Sequence, residues 1–221
     1  ARQMARRPIE VILGGGRKFF DGSANGASNL LPELKRRYTY IETAEQLRSL
    51  RTDTVEALLG LFAPEGMDRA IDGRTPTLAE MTRVALEILD RNPAGFFLMV
   101  EASQPDWRGH ANEPLETVVA EMLDYDRAIA VALEYQRRNP ETLIVIVADH
   151  ETGGLAIEGG PDGELVAKYT TDYHTGQMIP LFAKGPGAEH FGGLIRNDRV
   201  GQLLFEVIRG ALPRATAAAT H

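Results

Sequence analysis

The chain has 221 residues, with 24 Lys and Arg against 31 Asp and Glu, so its formal net charge is −7. This acidic balance disfavours nucleic acid and anionic membranes as main partners, because both bind basic surfaces, and no segment reaches the roughly 18 apolar residues of a membrane span. Cysteine is absent, which excludes disulfides, thiolate metal sites and cysteine nucleophiles.

The N-terminal residues 1–7 have the composition of the last turns of a helix that ends before Pro8. They carry no N-cap residue, and no apolar core follows the basic residues, so the segment is not a signal peptide. We therefore expect that the chain starts inside a larger protein.

The rest of the chain alternates between apolar runs of strand length and segments of helical periodicity. Two capping boxes, Thr43 to Gln46 and Thr77 to Glu80, predict helix starts. Residues 142–148 are β-branched and apolar on both faces, which is typical of a strand inside a parallel sheet covered by helices. The other predicted strands are 9–13, 55–63, 96–100 (as a buried strand) and 179–183, and the other predicted helices are 116–138 and 198–209.

These elements predict an α/β fold with a mostly parallel sheet sandwiched between helices. No repeat or linker divides the chain, so we expect one domain over residues 1–210, followed by a disordered Ala/Thr-rich tail at 211–221. The long helix 116–138 is expected to carry its apolar residues on one side. These are Val118, Val119, Met122, Leu123, Ile129, Ala130 and Leu133.

Three histidines, His110, His150 and His174, lie just beyond predicted strands or in glycine-rich loops. Asp106 precedes His110 by four residues, so one helical turn would place both on the same face. Asp149 immediately precedes His150. Ligands of open α/β sheets bind beyond the carboxyl ends of the strands, which makes these residues candidates for one site.

The chemistry of this residue set points to divalent metals. Glu101 ends the predicted buried strand 96–100, where a charged side chain needs a partner. Imidazole and carboxylate without thiolate suit a hydrolytic zinc or manganese site. Two such clusters close together suggest a pair of metals, about 3.5–4 Å apart, that clamp a phosphoryl group.

Each feature also has an interpretation without a metal. Asp106 and His110 alone fit a surface turn. Asp149 and His150 alone fit a helix cap beside a packed histidine. Glu101 alone fits an ion pair better than a metal ligand. The joint placement of all of them at the functional edge of one sheet favours the metal site.

Other polar features are given structural interpretations. His190 and His221 are expected on the surface. Gly14 to Gly16 with Arg17 is expected to form a tight turn, because the segment lacks the Lys-Ser/Thr of a phosphate-binding loop.

Three segments, taken together, resemble the alkaline phosphatase family. They are residues 100–112 (VEASQPDWRGHAN), 148–154 (ADHETGG) and 174–188 (HTG followed by PLFAKGPGA). Residues 11–17 (VILGGGR) also match a segment of that family, and the resemblance runs from about residue 9 to about residue 204.

The resemblance implies a ligand for each metal. Asp106, His110 and His174 would hold a first zinc, on the leaving-group side. Asp149 and His150 would hold a second zinc, which activates a serine nucleophile that becomes phosphorylated. Glu101 would help to hold one magnesium.

Two residues beside the ligands are candidates for substrate binding. Trp107 is expected to line the mouth of the pocket. Arg108 is a candidate phosphate contact, although a solvated or ion-paired arginine is the favoured interpretation.

The family's serine motif is not found in this chain, nor are its bridging Asp, its magnesium-binding Thr and its phosphate-clamping Arg. Ser103 is no replacement, because the family has no nucleophile in that ligand loop. The chain is therefore interpreted as the C-terminal portion of an alkaline phosphatase domain, over 1–210, that is close to inactive alone. Expected partners are a phosphate monoester substrate, the missing N-terminal segment and, by resemblance, a second copy in a homodimer. The same resemblance implies a periplasmic or secreted protein.

Two alternatives stay open. One is a non-catalytic zinc-binding module that keeps the ligands without the chemistry. The other is a different member of the same superfamily, such as a phosphodiesterase or a metal-dependent mutase. The spacing of Glu101, Asp106 and His110, together with the His-Thr-Gly segment, favours the monoesterase.

Overall fold

The structure is a computed structural model that describes residues 1–210; the tail at 211–221, expected to be disordered, lies outside the described residues. The chain groups into two compact units. The first contains residues 1–104 and 119–131, and the second contains residues 105–118 and those from 132 onwards. The single domain expected over 1–210 stays a prediction.

The first unit is built on a three-stranded parallel sheet in the order β1-β3-β2. Its strands are β1 (Val11–Gly14), β2 (Thr39–Ile41) and β3 (Leu58–Leu61). Its helices are α1 (Arg2–Ala5), α2 (Lys18–Asp21), α3 (Leu31–Leu34), α4 (Ala44–Arg48) and α5 (Leu78–Leu89), with 3₁₀ turns at Thr52–Thr54 and Ala70–Asp72. The predicted strands at 9–13 and 55–63 are confirmed with shifted ends, and α1 lacks a side-chain cap, as expected.

The central strand β3 explains where the core of this unit sits. Its residues are all buried, and successive side chains point to opposite faces. Leu59 and Leu61 face a cluster that includes side chains of α2 and α3. Leu58 faces the other cluster, with Leu47 of α4 and Met81 of α5.

Both predicted capping boxes are present. The Thr43 side chain accepts a hydrogen bond from the backbone N–H of Gln46, and the Gln46 side chain accepts one from the N–H of Thr43. Thr77 and Glu80 make the same reciprocal pair at the start of α5. These contacts satisfy backbone donors that the first helical turn leaves without partners.

The prediction of a buried strand at 96–100 is wrong. The segment forms neither strand nor helix, and its Phe97 and Met99 side chains are 61% and 74% exposed. A strand exists only through a backbone ladder, and none of the ladders within residues 1–210 includes this segment. Glu101, which follows it, is exposed and lies in no regular element.

The long helix is present as α7 (Leu115–Arg138), but its apolar side is the more exposed one. Val119, Met122 and Leu123 are exposed, whereas Glu121 and Asp124 are buried. The charges of the buried side are compensated, because the buried guanidinium of Arg74 donates to both carboxylates, over 2.8 and 2.7 Å.

The second unit pairs its strands antiparallel. Its helices are α6 (Gln104–His110), most of which belongs to it, and α8 (Asn197–Ile208), with a 3₁₀ turn at Ala188–Phe191. Its strands are β4 (Ile144–Val147), β5 (Glu151–Thr152), β6 (Ala156–Gly159), β7 (Leu165–Lys168), β8 (His174–Thr175) and β9 (Leu181–Lys184). β4 pairs with β9, β5 with β8 and β6 with β7.

The predicted strands 142–148 and 179–183 are therefore confirmed as β4 and β9, but their pairing is not parallel. Parallel neighbours need a crossover, usually a helix, and residues 148–180 contain no helix. The α/β class is confirmed, whereas parallel pairing among the described residues is confined to the sheet of the first unit. Val200 and Leu203 of α8 pack with Phe191 against side chains of β4 and β9.

No helix within residues 1–210 combines the length and the apolarity needed to cross a membrane.

Candidate metal centre

Asp106 and His110 lie on one face of α6, as their spacing predicts. The Oδ1 atom of Asp106 is 3.4 Å from the Nε2 atom of His110. Both side chains are half-buried, so they are accessible from solvent yet held by the protein.

His174 reaches the same place from β8. Its Nε2 atom lies 3.1 Å from Nε2 of His110 and 3.6 Å from Oδ1 of Asp106. The side chains of Asp106, His110 and His174 thus offer three ligand atoms that lie within 4.8 Å of one another. Two residues of one helix and one residue 64 positions later therefore converge on a single point.

A backbone contact orients the ring of His110. Its Nδ1 atom is 2.6 Å from the carbonyl oxygen of Asp172, which can only accept a hydrogen bond. Nδ1 therefore carries a hydrogen, which leaves Nε2 as the ring nitrogen that faces Asp106 and His174 and can act as a ligand atom.

His150 adjoins this group from the other side. Its ring stacks on the ring of His174, with 3.4 Å between centroids and 22° between planes. Its Nε2 atom is 3.3 Å from Oδ2 of Asp149, an exposed carboxylate. Asn197 of α8 donates to the backbone carbonyl of Asp149 over 2.9 Å, which ties this turn to the helix. The three histidines singled out in the sequence are thus brought together.

Thr152 is a polar residue that the sequence analysis did not single out. Its hydroxyl Oγ1 is 2.5 Å from Oδ1 of Asp106 and 3.2 Å from Nδ1 of His150. The segment 148–154 contained it, but a threonine gives no sequence signal of such a role.

Gly109 permits the approach of α6 to β5. A Cβ atom at this position would lie 2.9 Å from the carbonyl oxygen of Thr152 and 3.0 Å from its Cβ atom. Only glycine allows this backbone separation, on which the contact between Thr152 and Asp106 depends.

Glu151 is an anchor for its own loop. Its carboxylate accepts hydrogen bonds from the N–H groups of Gly154 and Leu155 and from the hydroxyl of Thr175. Burial raises the pKa of Glu151, but these hydrogen bonds outweigh it, so the pKa lies below its usual value. Gly153 and Gly154, with φ of +90° and +57°, form the turn that brings these donors round.

The remaining predicted residues lie outside this group. Arg108 forms an ion pair with Glu113, in agreement with the favoured interpretation. Trp107 is partly exposed on α6. Glu101 belongs to the first unit, and the metal-ligand group belongs to the second. His190 lies 3.6 Å from Glu189 in a 3₁₀ turn, and His221 is outside the described residues.

The tight turn expected at Gly14 to Arg17 begins later than predicted: Gly14 is the last residue of β1, Gly15 lies in a bend, and the N–H of Phe19 bonds to the carbonyl of Gly16 over 3.0 Å. The N–H of Gly16 bonds to the carbonyl of Glu65 over 2.5 Å. The segment runs into the four-residue helix α2.

Comparison with known proteins identifies the family. A sequence model described as alkaline phosphatase matches residues 1–166. The chain belongs to the alkaline phosphatase family. The prediction of this family from three short segments is confirmed.

Individual relatives agree with the assignment. Alkaline phosphatase 4 of Bacillus subtilis is 29% identical over 92% of this chain, and the streptomycin-6-phosphate phosphatase of Streptomyces griseus is 32% identical over 95%. The solved alkaline phosphatase of the Antarctic bacterium TAB5 matches 93% of the chain with 30% identity and a TM-score of 0.82. A variant of that enzyme has been solved with Mg bound in its M3 site.

The relatives are longer than this chain. The alignments span 58% of the Bacillus protein, 57% of the Streptomyces protein and 62% of the TAB5 chain. The 221 residues thus correspond to about three fifths of the proteins they match.

Proposed function

We propose that this chain supplies the zinc-binding part of an enzyme that hydrolyses phosphate monoesters with a zinc-activated serine. The observation that carries the proposal is the convergence of Asp106, His110 and His174 on one point. In this proposal the serine lies outside the 221 residues, as the resemblance implies. The family membership supports the reaction class.

The spacing of the three ligand atoms fits a zinc ion. Ligands about 2.0–2.2 Å from a tetrahedral zinc are separated from one another by about 3.3–3.6 Å. Two of the three separations here, 3.4 and 3.6 Å, lie in this range, and the third, 3.1 Å, lies just below it. Two imidazoles and one carboxylate also form the donor set of hydrolytic zinc sites, which leave a coordination position for substrate.

Asp149 and His150 are proposed as ligands of a second zinc. Their facing atoms, Oδ2 and Nε2, are 3.3 Å apart, which lies in the same range. The stacked rings of His150 and His174 hold the two ligand groups side by side. Two zinc ions would neutralise phosphoryl charge and lower the pKa of a coordinated oxygen nucleophile.

The chain's own groups orient these ligands. The carbonyl of Asp172 holds the Nδ1 proton of His110, so that Nε2 stays available at every turnover. Asn197 fixes the backbone of Asp149. Trp107, exposed on α6 next to Asp106, is proposed to line the mouth of the pocket.

Several finer proposals rest on the resemblance. Glu101 is proposed as a magnesium ligand. A larger, mostly parallel sheet between helices is proposed for the whole protein, since elements supplied by the expected N-terminal segment would then cover the exposed Phe97, Met99 and Leu123. A homodimer and a periplasmic or extracellular location are proposed on the same basis.

The ligand assignment is tested by zinc affinity. We expect the 221-residue chain to bind zinc in competition with a chromogenic chelator, and Asp106→Asn or His174→Ala to weaken binding at least tenfold. His190→Ala is the matched control, because His190 lies outside the ligand group, and it should leave the affinity unchanged. Equal affinities in all four proteins would contradict the assignment.

The source of the nucleophile is tested by turnover. With zinc and magnesium added, we expect this chain alone to release 4-nitrophenol from its phosphate ester at a rate close to the uncatalysed background. Turnover at about 1 per second or faster, within the normal range of enzymes, would contradict the proposal that the nucleophile lies outside the 221 residues. The same assay is applied to the complete gene product. If it is active and Asp106→Asn abolishes that activity, the protein is an enzyme rather than a non-catalytic zinc module.

A further inference from the structure

The hydroxyl of Thr152 lies between side chains proposed to bind different metals. It is 2.5 Å from Oδ1 of Asp106, a proposed ligand of the first zinc, and 3.2 Å from Nδ1 of His150, a proposed ligand of the second. A threonine hydroxyl has one hydrogen to donate and lone pairs with which to accept.

Counting hydrogens fixes the direction of both bonds. An ionised carboxylate only accepts, so Oγ1 of Thr152 must donate its single hydrogen to Asp106. The same oxygen then accepts from His150, whose Nδ1 must carry a hydrogen. The hydrogen bonds therefore run from His150 through Thr152 to Asp106.

This direction determines which atom of His150 is available as a ligand. With the hydrogen on Nδ1, the neutral ring has its lone pair on Nε2, the atom that lies 3.3 Å from Oδ2 of Asp149. Without the hydroxyl, the ring loses this acceptor for the Nδ1 hydrogen and is free to adopt the other tautomer.

The position of the hydroxyl is built by three parts of the second unit. Thr152 pairs with His174 in the ladder between β5 and β8. Gly109 lets α6 approach the backbone of Thr152. The next residue, Gly153, donates from its N–H to the carbonyl of Tyr173 over 2.9 Å, which extends the backbone pairing beyond Thr152 and His174. The threonine is thus held from its backbone as well as its side chain.

We propose that Thr152 is a positioning residue that couples the two metal positions, by orienting Asp106 and setting the tautomer of His150 through one hydroxyl. The inference rests on the proposed function, because it assumes that these residues bind metal. Mutation of a residue that orients a metal ligand typically weakens metal affinity 10- to 100-fold. Loss of the hydroxyl should therefore weaken zinc binding at both positions.

The test compares three variants with the unmodified chain. Thr152→Val removes the hydroxyl but keeps the shape, and Thr152→Ser keeps the hydroxyl. Thr117→Val removes a hydroxyl that donates to the carbonyl of Pro114 at the start of α7, and it controls for a lost hydrogen bond in the same unit. Zinc affinity and stoichiometry are measured by chelator competition, and the tautomer of His150 by ¹⁵N NMR of the zinc-free protein.

We expect Thr152→Val to lose at least tenfold in affinity for both zinc equivalents and to lose the pure Nδ1–H tautomer of His150. Thr152→Ser and Thr117→Val should stay within about threefold of the unmodified chain. Unchanged affinity and unchanged tautomer in Thr152→Val would overturn the inference. Failure of the unmodified chain to bind zinc would instead overturn the proposed function, and the tautomer measurement would still test the orienting role of Thr152.

Discussion

Substitution of Gly109 by alanine sets two physical effects against each other. Gly109 lies inside α6, where alanine is normally preferred to glycine by about 1 kcal/mol. Helix propensity alone therefore predicts that Gly109→Ala stabilises the protein. The structure predicts the opposite, because the new methyl group would meet the backbone of β5.

The size of the effect follows from the contacts. The added Cβ would lie 2.9 Å from the carbonyl oxygen of Thr152 and 3.0 Å from both its Cβ and Cγ2 atoms, well inside van der Waals separation. Overpacking of this kind costs about 1–3 kcal/mol. Because the helical preference for alanine offsets part of this cost, we expect Gly109→Ala to lower the free energy of unfolding by about 1 kcal/mol. The strand must also move away, which lengthens the 2.5 Å contact between Thr152 and Asp106.

Gly201→Ala is the matched control for this experiment. Gly201 lies inside α8 in the same unit, and a Cβ there would meet nothing within 4 Å, so this substitution should stabilise by up to about 1 kcal/mol. The two variants should then differ by about 2 kcal/mol, or about 4–8 °C in Tm for a chain of this size. Gly109→Ala should also bind zinc more weakly than Gly201→Ala. Equal Tm values and equal zinc affinities would refute the role given to Gly109.

Two further predictions concern the first unit. In a urea titration, Arg74→Met should lower the free energy of unfolding by about 3–5 kcal/mol, because it leaves the buried carboxylates of Glu121 and Asp124 without their cation. Arg69→Met is the control: Arg69 forms an exposed pair with Asp72, and its substitution should lower the free energy of unfolding by at most about 1 kcal/mol. Hydrogen bonding from Arg48, together with that from Thr77, holds the pKa of Glu80 below its usual value despite some burial. The stability that this carboxylate contributes is therefore fully present above the pKa of glutamate in the unfolded chain. It is lost as the pH falls through the lowered pKa of Glu80 in the folded protein. Glu80→Gln should accordingly unfold at a lower temperature than the unmodified chain at pH 7, and the difference should shrink towards pH 3; a constant difference in Tm would contradict the assignment.

The local elements were predictable because their causes are local. Thr43 and Thr77 start helices through contacts three residues away, and these follow from the order of residues alone. The spacing of Asp106 and His110 is equally local, since one helical turn brings them together. The predicted sheet edge made His174 a candidate for the same site, but its place in the same ligand set depended on a resemblance, because β8 reaches α6 only through the folded chain.

The errors arise where a distant partner decides the outcome. The segment 96–100 has the composition of a buried strand, yet it lacks a ladder and stays half-exposed. The helix α7 carries its apolar residues on one side, as expected, but which side is buried depends on a distant partner, because the guanidinium of Arg74, 47 positions before Glu121, pairs with the buried acidic side. Thr152 is a third case, because its role depends on which side chains happen to face one hydroxyl.

The distribution of the proposed ligands between the two units has a chemical consequence. All five proposed zinc ligands, Asp106, His110, Asp149, His150 and His174, belong to the second unit, as do the groups that orient them. Zinc binding should therefore depend on the local packing of α6, β5 and β8 rather than on how the units are arranged. Glu101, the proposed magnesium ligand, belongs to the first unit. Zinc affinity should thus be indifferent to changes in the first unit.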